Sequence, residues 1–210
     1  METKHILGIP LYTFVCSNNL LDIAIAECNK LQYKKSVGNK VSVTEFFYNS
    51  ELFDWFEECI DRAKEDIGIP STVQLPIISC WCNKSTKLQN HHSHSHPNSF
   101  MSAIFYLSEG HNGGDTVFHI PNPWYKDYGW MKFDASQEIH IAQKVSPSKG
   151  KLILFPSWLE HKVTPLKSLD ERISISFNTF FSGEIAADQK GIISLSLFAK
   201  TVRQRQSNET

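Results

Sequence analysis

The order of apolar and polar positions divides the chain into two textures. Over residues 20–31, Leu21, Ile25, Cys28 and Leu31 recur at helical spacing, which predicts an amphipathic helix capped by Asn18 or Asn19. Over residues 50–67, Phe53, Phe56, Ile60, Ala63 and Ile67 form one face, and Gly68 with Pro70 ends the helix. Beyond Pro70 the period shortens. Residues 73–82, 100–107, 116–120, 138–145, 151–155, 161–163, 172–181 and 191–198 are short runs rich in β-branched and aromatic side chains. Turn residues separate them, among them Asn112-Gly113-Gly114 and Ser148-Lys149-Gly150. About eight short strands at this spacing predict a sandwich or jelly roll. The fold expected is mainly β with N-terminal helices laid on one sheet face.

On this pattern residues 1–70 form a helical support, residues 71–200 a single β core, and residues 201–210 a polar, frayed tail. Residues 121–133 break the alternation. They carry Trp124, Tyr125, Tyr128 and Trp130 with no clean period. A loop this long and aromatic is either a substrate lid or a cover packed on a sheet.

Composition narrows the picture. Of 210 residues, 41% are hydrophobic and 20% charged, with 14 Phe, 6 Tyr and 5 Trp, which suits a packed core and excludes disorder. A formal net charge of −1 excludes bulk attraction to nucleic acid. No apolar run approaches the roughly 18 residues that span a bilayer, and the first residues lack signal-peptide order. Five cysteines without a CxxC spacing argue against a disulfide framework or zinc ribbon, so reduced thiols and a cytoplasmic location are expected. Residues 45–66 hold an excess of acids, read as a solvated helix face.

The candidate chemistry lies in two blocks. His91, His92, His94 and His96 crowd into six residues. Imidazole is the commonest metal ligand, and on an extended strand His94 and His96 project from one face. The second block runs from Lys149 through Pro156 to His161 and on to Arg172. There Arg172, Ser174 and Ser176 alternate on one face of an otherwise apolar strand. An arginine so placed is costly unless it meets an anion, either a bidentate carboxylate ligand or the nearby Asp170 or Glu171.

These residues resemble the 2-oxoglutarate/Fe(II)-dependent oxygenases of the prolyl-hydroxylase-like superfamily. The likeness is carried by Asn90-x-x-x-His94-x-His96-Pro97, by Ser102-Ala-Ile-Phe-Tyr106, by Leu154-Phe-Pro-Ser-Trp-Leu-x-His161-x-Val163, and by Glu171-Arg-Ile-Ser-Ile-Ser-Phe-Asn178. Gly113-Gly114-Asp115-Thr116-Val-Phe118 adds a segment similar to prolyl-hydroxylase-like members. The resemblance covers about residues 81–181. It implies a double-stranded β-helix, a cupin-like jelly roll. It implies Fe(II), 2-oxoglutarate and O2, with decarboxylation of 2-oxoglutarate coupled to hydroxylation of a peptide or small molecule. It implies metal ligation by His94 and His161, a clamp on the distal carboxylate of 2-oxoglutarate by Arg172, and assistance from Ser174, Tyr106 and Asn83. No catalytic residue beyond the metal centre is implied.

The sequence departs from the family at one position. Most members carry a carboxylate two residues after the first histidine, and here that residue is His96. Three readings stay open: His96 is the third ligand, Asp115 takes its place, or the position is left to water or halide. Phe100, Ile104, Leu152, Leu154 and Phe177 are read as core that also walls the site, and His111, His119 and His140 as structural. Two rival functions remain: a three-histidine cupin dioxygenase without 2-oxoglutarate, for which Arg172 has no purpose, and a non-catalytic jelly-roll binding module, which leaves the histidines unexplained. A homodimer through the helical face is also left open.

Overall fold

The computed structural model describes residues 1–6, 8–43, 50–110, 113–119, 142–185 and 193–195. The aromatic segment with Trp124, Tyr125, Tyr128 and Trp130, together with His111, His140 and the tail, lies outside the described residues. In chain order the elements are β1 (Glu2–Ile6), β2 (Ile9–Val15), α1 (Asn18–Lys30), β3 (Tyr33–Lys35), β4 (Lys40–Ser42), α2 (Ser50–Asp66), β5 (Val73–Gln74), β6 (Ile77–Ser85), β7 (His91–His94) and β8 (Met101–Tyr106). They continue with β9 (Thr116–His119), β10 (Ala142–Val145), β11 (Lys151–Pro156), β12 (His161–Val163), β13 (Arg172–Thr179), β14 (Ser182–Ile185) and β15 (Ile193–Leu195).

An eight-stranded sheet runs β1-β2-β11-β8-β13-β6-β4-β3, and a four-stranded sheet runs β10-β9-β12-β7. A small third sheet, β15-β14-β5, stands apart from these. The major and minor sheets are the two walls of a double-stranded β-helix. Residues 1–43 contribute four strands, which the helical reading of that part did not include. Among the described residues no helix is long and apolar enough to cross a membrane.

The alternation along β13 explains how the walls differ. Ile173, Ile175 and Phe177 turn to the helices, and Arg172, Ser174 and Ser176 turn to the interior of the barrel. Its neighbours obey the same period. Ala103 and Phe105 of β8 and Leu152 and Leu154 of β11 join the helix-side core, whereas Ile104, Tyr106, Ile153 and Phe155 form a second cluster inside. Leu152, Leu154 and Phe177 are therefore core, Phe100 packs against that core, and Ile104 walls the cavity.

The helices form because they complete that core. α2 buries Leu52, Phe53, Phe56, Cys59, Ile60 and Ala63, and the Phe56 ring lies 4.9 Å from Phe177 and 5.5 Å from Phe105. Ile67 is not part of this face; it lies beyond the helix and is exposed. Gly68, at φ +74°, turns the chain out of the helix. α1 begins one residue before the expected caps: Ser17 Oγ accepts from the Leu20 N–H at 3.4 Å. A serine oxygen reaches that amide from extended backbone, which Asn18, already helical, cannot adopt.

Candidate metal and co-substrate site

Two strand pairings bring the histidines together. His161 of β12 stands directly opposite His94 of β7. His96 follows two residues on, and its N–H donates to the Ser157 carbonyl at 2.9 Å. One nitrogen from each of His94, His96 and His161 lies within 4.8 Å of the other two. The rings crowd accordingly, at 4.4 Å between His94 and His161 and 5.2 Å between His96 and His161.

The local hydrogen bonds set the tautomers. His161 Nδ1 lies 3.0 Å from the Leu159 carbonyl and His94 Nδ1 lies 2.9 Å from the His92 carbonyl. A carbonyl only accepts, so each Nδ1 carries the proton and each Nε2 keeps its lone pair. Burial depresses the basicity of all three. His161 falls to about 3 and His96 to about 4, first through desolvation and then through the neighbouring histidines, and His94 shifts in the same direction. At neutral pH the cluster is uncharged, the state in which imidazole binds a metal.

A second grouping shares His94. Nitrogens of His91, His92 and His94 also lie within 4.8 Å of one another, with His92 exposed. Asp115 is engaged elsewhere: Oδ2 pairs with Lys144 at 2.9 Å and Oδ1 accepts from Ser146 at 2.6 Å. Burial raises its pKa, but the Ser146 hydroxyl and the Lys144 ammonium outweigh that and hold the carboxyl below its usual range. Asp115 thus does not join the clustered donors.

Arg172 lines the same cavity and is 4% exposed. One guanidinium nitrogen donates to Ser174 Oγ at 3.3 Å, and the guanidinium carbon lies 5.3 Å from the centre of the Tyr106 ring. Its Nε has no partner. Among the described residues no acid forms an ion pair with it, which leaves Asp170 and Glu171 without the pairing their proximity suggested. A buried guanidinium in this state is strongly disfavoured until an anion arrives. Tyr106 is fully buried and shares a hydrogen bond of 2.8 Å with Thr116 Oγ1. Gly114, at φ +73°, gives Arg172 its room: a Cβ there would stand 2.9 Å from Arg172 Cδ.

Asn83 lies on the adjacent strand. Its Nδ2 donates to Ser176 Oγ at 3.1 Å, and its Oδ1 accepts from Asn39 Nδ2 at 3.3 Å. Asn39 was not foreseen. It is 4% exposed, lines the cavity, and keeps an unpaired Oδ1. Its hairpin is seated by Gly38, whose φ is +83° and whose absent Cβ would run into the Asn90 carbonyl. Trp81, also unforeseen, lines the cavity, as does His91 of the histidine run. The alternation of β6 could have disclosed Trp81, since it shares the inward face with Asn83. His119 is half-buried on β9 and outside the cavity.

Comparisons with known proteins bear on the family and the fold. Residues 79–178 match the family described as "Putative 2OG-Fe(II) oxygenase". No curated protein matches the chain. Among solved structures, an oxidoreductase of the 2OG-Fe(II) oxygenase family from Burkholderia pseudomallei is 15% identical, with a TM-score of 0.57 over 80% of this chain and 83% of that one. A Pseudomonas putida prolyl-4-hydroxylase is 18% identical, with a TM-score of 0.56 over 82% and 94%. HygX from Streptomyces hygroscopicus, solved with nickel and 2-oxoglutarate bound, is 12% identical, with a TM-score of 0.59 over 92% and 93%.

Proposed function

We propose that this chain, whose residues 79–178 match the 2OG-Fe(II) oxygenase family, is such an oxygenase and hydroxylates a peptide or small molecule at a three-histidine iron site. One observation carries the reading: a cluster of three neutral imidazoles and an unpaired, buried guanidinium line a single cavity. The donor set suits a divalent metal, and the orphan Nε suits a carboxylate. His94, His96 and His161 would hold the iron, and Arg172 would hold the distal carboxylate of 2-oxoglutarate. When bound, iron and co-substrate supply the oxidising power, turning O2 and 2-oxoglutarate into CO2, succinate and one oxygen atom for the substrate.

The chain's own residues bind, orient and exclude water. Leu159 and His92 carbonyls fix two of the ligand rings. Ser174 and Tyr106 keep the guanidinium in place, and Asn83 holds the wall beside it through Ser176. Ile104 and Trp81 give the cavity apolar surface. Three neutral ligands leave the metal its full double charge, so a dianionic co-substrate is drawn in more strongly than beside a carboxylate ligand. The fold is shared by enzymes that act on different substrates, a prolyl-4-hydroxylase and HygX with its hygromycin B complex among them. The Gly113-Gly114 segment and Tyr106 favour a peptide.

Anaerobic titration with Fe(II), with and without 2-oxoglutarate, tests this. A weak visible charge-transfer band that develops only when both are present is expected. Metal uptake with no response to 2-oxoglutarate would favour the cupin-type alternative and overturn the proposal.

A further inference from the structure

Away from the cavity, on the helix-facing side of the major sheet, two sulfurs meet. Cys28 lies on the buried face of α1 and Cys82 on β6; they are 1% and 0% exposed. Their Sγ atoms are 2.9 Å apart. A disulfide bond is about 2.05 Å long, so closure needs less than ~1 Å of further approach. The pair joins elements 54 residues apart in sequence.

A third group completes the arrangement. The Tyr33 hydroxyl lies 2.7 Å from the Cys28 carbonyl and 3.1 Å from Cys82 Sγ. Lys84 Nζ stands 4.4 Å from the centre of the Tyr33 ring. These groups favour negative charge on one sulfur rather than the other. The hydrogen bond with Cys28, together with Tyr33 and Lys84, outweighs burial to hold the Cys82 pKa below its ordinary value. The same hydrogen bond and burial push Cys28 up. The attacking thiolate is therefore Cys82, with Cys28 as the resolving thiol.

We propose that Cys28 and Cys82 form a dithiol–disulfide couple, oxidised by hydrogen peroxide, that ties α1 to β6. The Cys82 thiolate attacks one peroxide oxygen, the O–O bond breaks, and water leaves a sulfenic acid on Cys82. Cys28 gives up its proton and attacks that sulfur, expelling a second water. Two thiols lose two electrons and two protons, and one peroxide becomes two waters. Because both sulfurs are buried, the reaction proceeds through local opening of α1, which limits its rate.

The test uses the full chain, reduced and then treated with hydrogen peroxide. Peptide mapping without reduction is expected to find one linked pair, Cys28 with Cys82, and to find two of the five thiols lost until dithiothreitol restores them. In Cys28→Ser the link is absent and Cys82 carries the sulfenic acid; in Cys16→Ser and Cys59→Ser the link persists. A link involving Cys80 in place of either partner, loss that dithiothreitol does not reverse, or five thiols still present would each overturn the proposal. The wild-type map decides the matter even where a variant fails to fold.

Discussion

At the scale of single residues, Arg172 Nε and Asn39 Oδ1 are buried in the cavity wall without a hydrogen-bond partner. Arg172→Ala removes the one buried cation of the cavity. A charge-assisted hydrogen bond contributes about 1.5–3 kcal/mol, so the variant should bind 2-oxoglutarate about 10- to 150-fold more weakly by calorimetry. The histidines predict a pH dependence. His161 and His96 are depressed to about 3 and about 4 in the fold, against about 6.5 when unfolded. The native state binds fewer protons than the unfolded chain between those values, so stability rises with pH there. Metal-free protein should keep this contribution above about pH 6.5 and lose it as pH falls toward 4 and then 3. Denaturant midpoints measured across that range check it, and His161→Asn should flatten the slope. Arg172 was legible because it interrupts a strong apolar strand, and His161 because it follows the proline break that ends one. Asn39 was not, because a tertiary contact, the Gly38 turn on Asn90, carries it to the cavity from 44 residues away.

At the scale of elements, close approach of backbone decides what the site can hold. Gly114→Ala adds a methyl group 2.9 Å from Arg172 Cδ at a residue with φ +73°. The strain costs about 1 kcal/mol or more. The guanidinium must also move, so 2-oxoglutarate affinity should fall while affinity for the metal alone persists; parallel titrations with Ni(II) and with co-substrate separate the two. Elements with a clean period were the readable ones. α2 and β13 follow from spacing and β-branched content. β3 and β4 are three residues each, too short to show a period. β7 is His-His-Ser-His, whose polarity suggests a loop; it is a strand because β12 pairs with it. The Ser17 cap was missed because asparagine and serine cap about equally well.

At the scale of the whole molecule, the segment that carries the family's motifs is not the segment that folds. Within residues 79–178, the outer face of β8, β11 and β13 is apolar, and its cover comes from α1 and α2. β2 pairs with β11, and Tyr12 on β2 donates to Asp66 at the end of α2 at 2.9 Å. A fragment of residues 79–178 should therefore lack fixed tertiary structure, seen as loss of near-ultraviolet dichroism and unprotected amides, whereas the full chain shows both. The alternation of β13 has a consequence for variation. Its odd positions from Ile173 to Phe177 face the helices and its even positions from Arg172 to Ser176 face the cavity. Saturation mutagenesis of this one strand should write a two-letter rhythm: odd sites tolerate other apolar residues and fail by loss of expression. Even sites fail by loss of turnover in protein that still accumulates. Selection for abundance and selection for activity would then read complementary halves of the same six residues, Arg172 to Phe177.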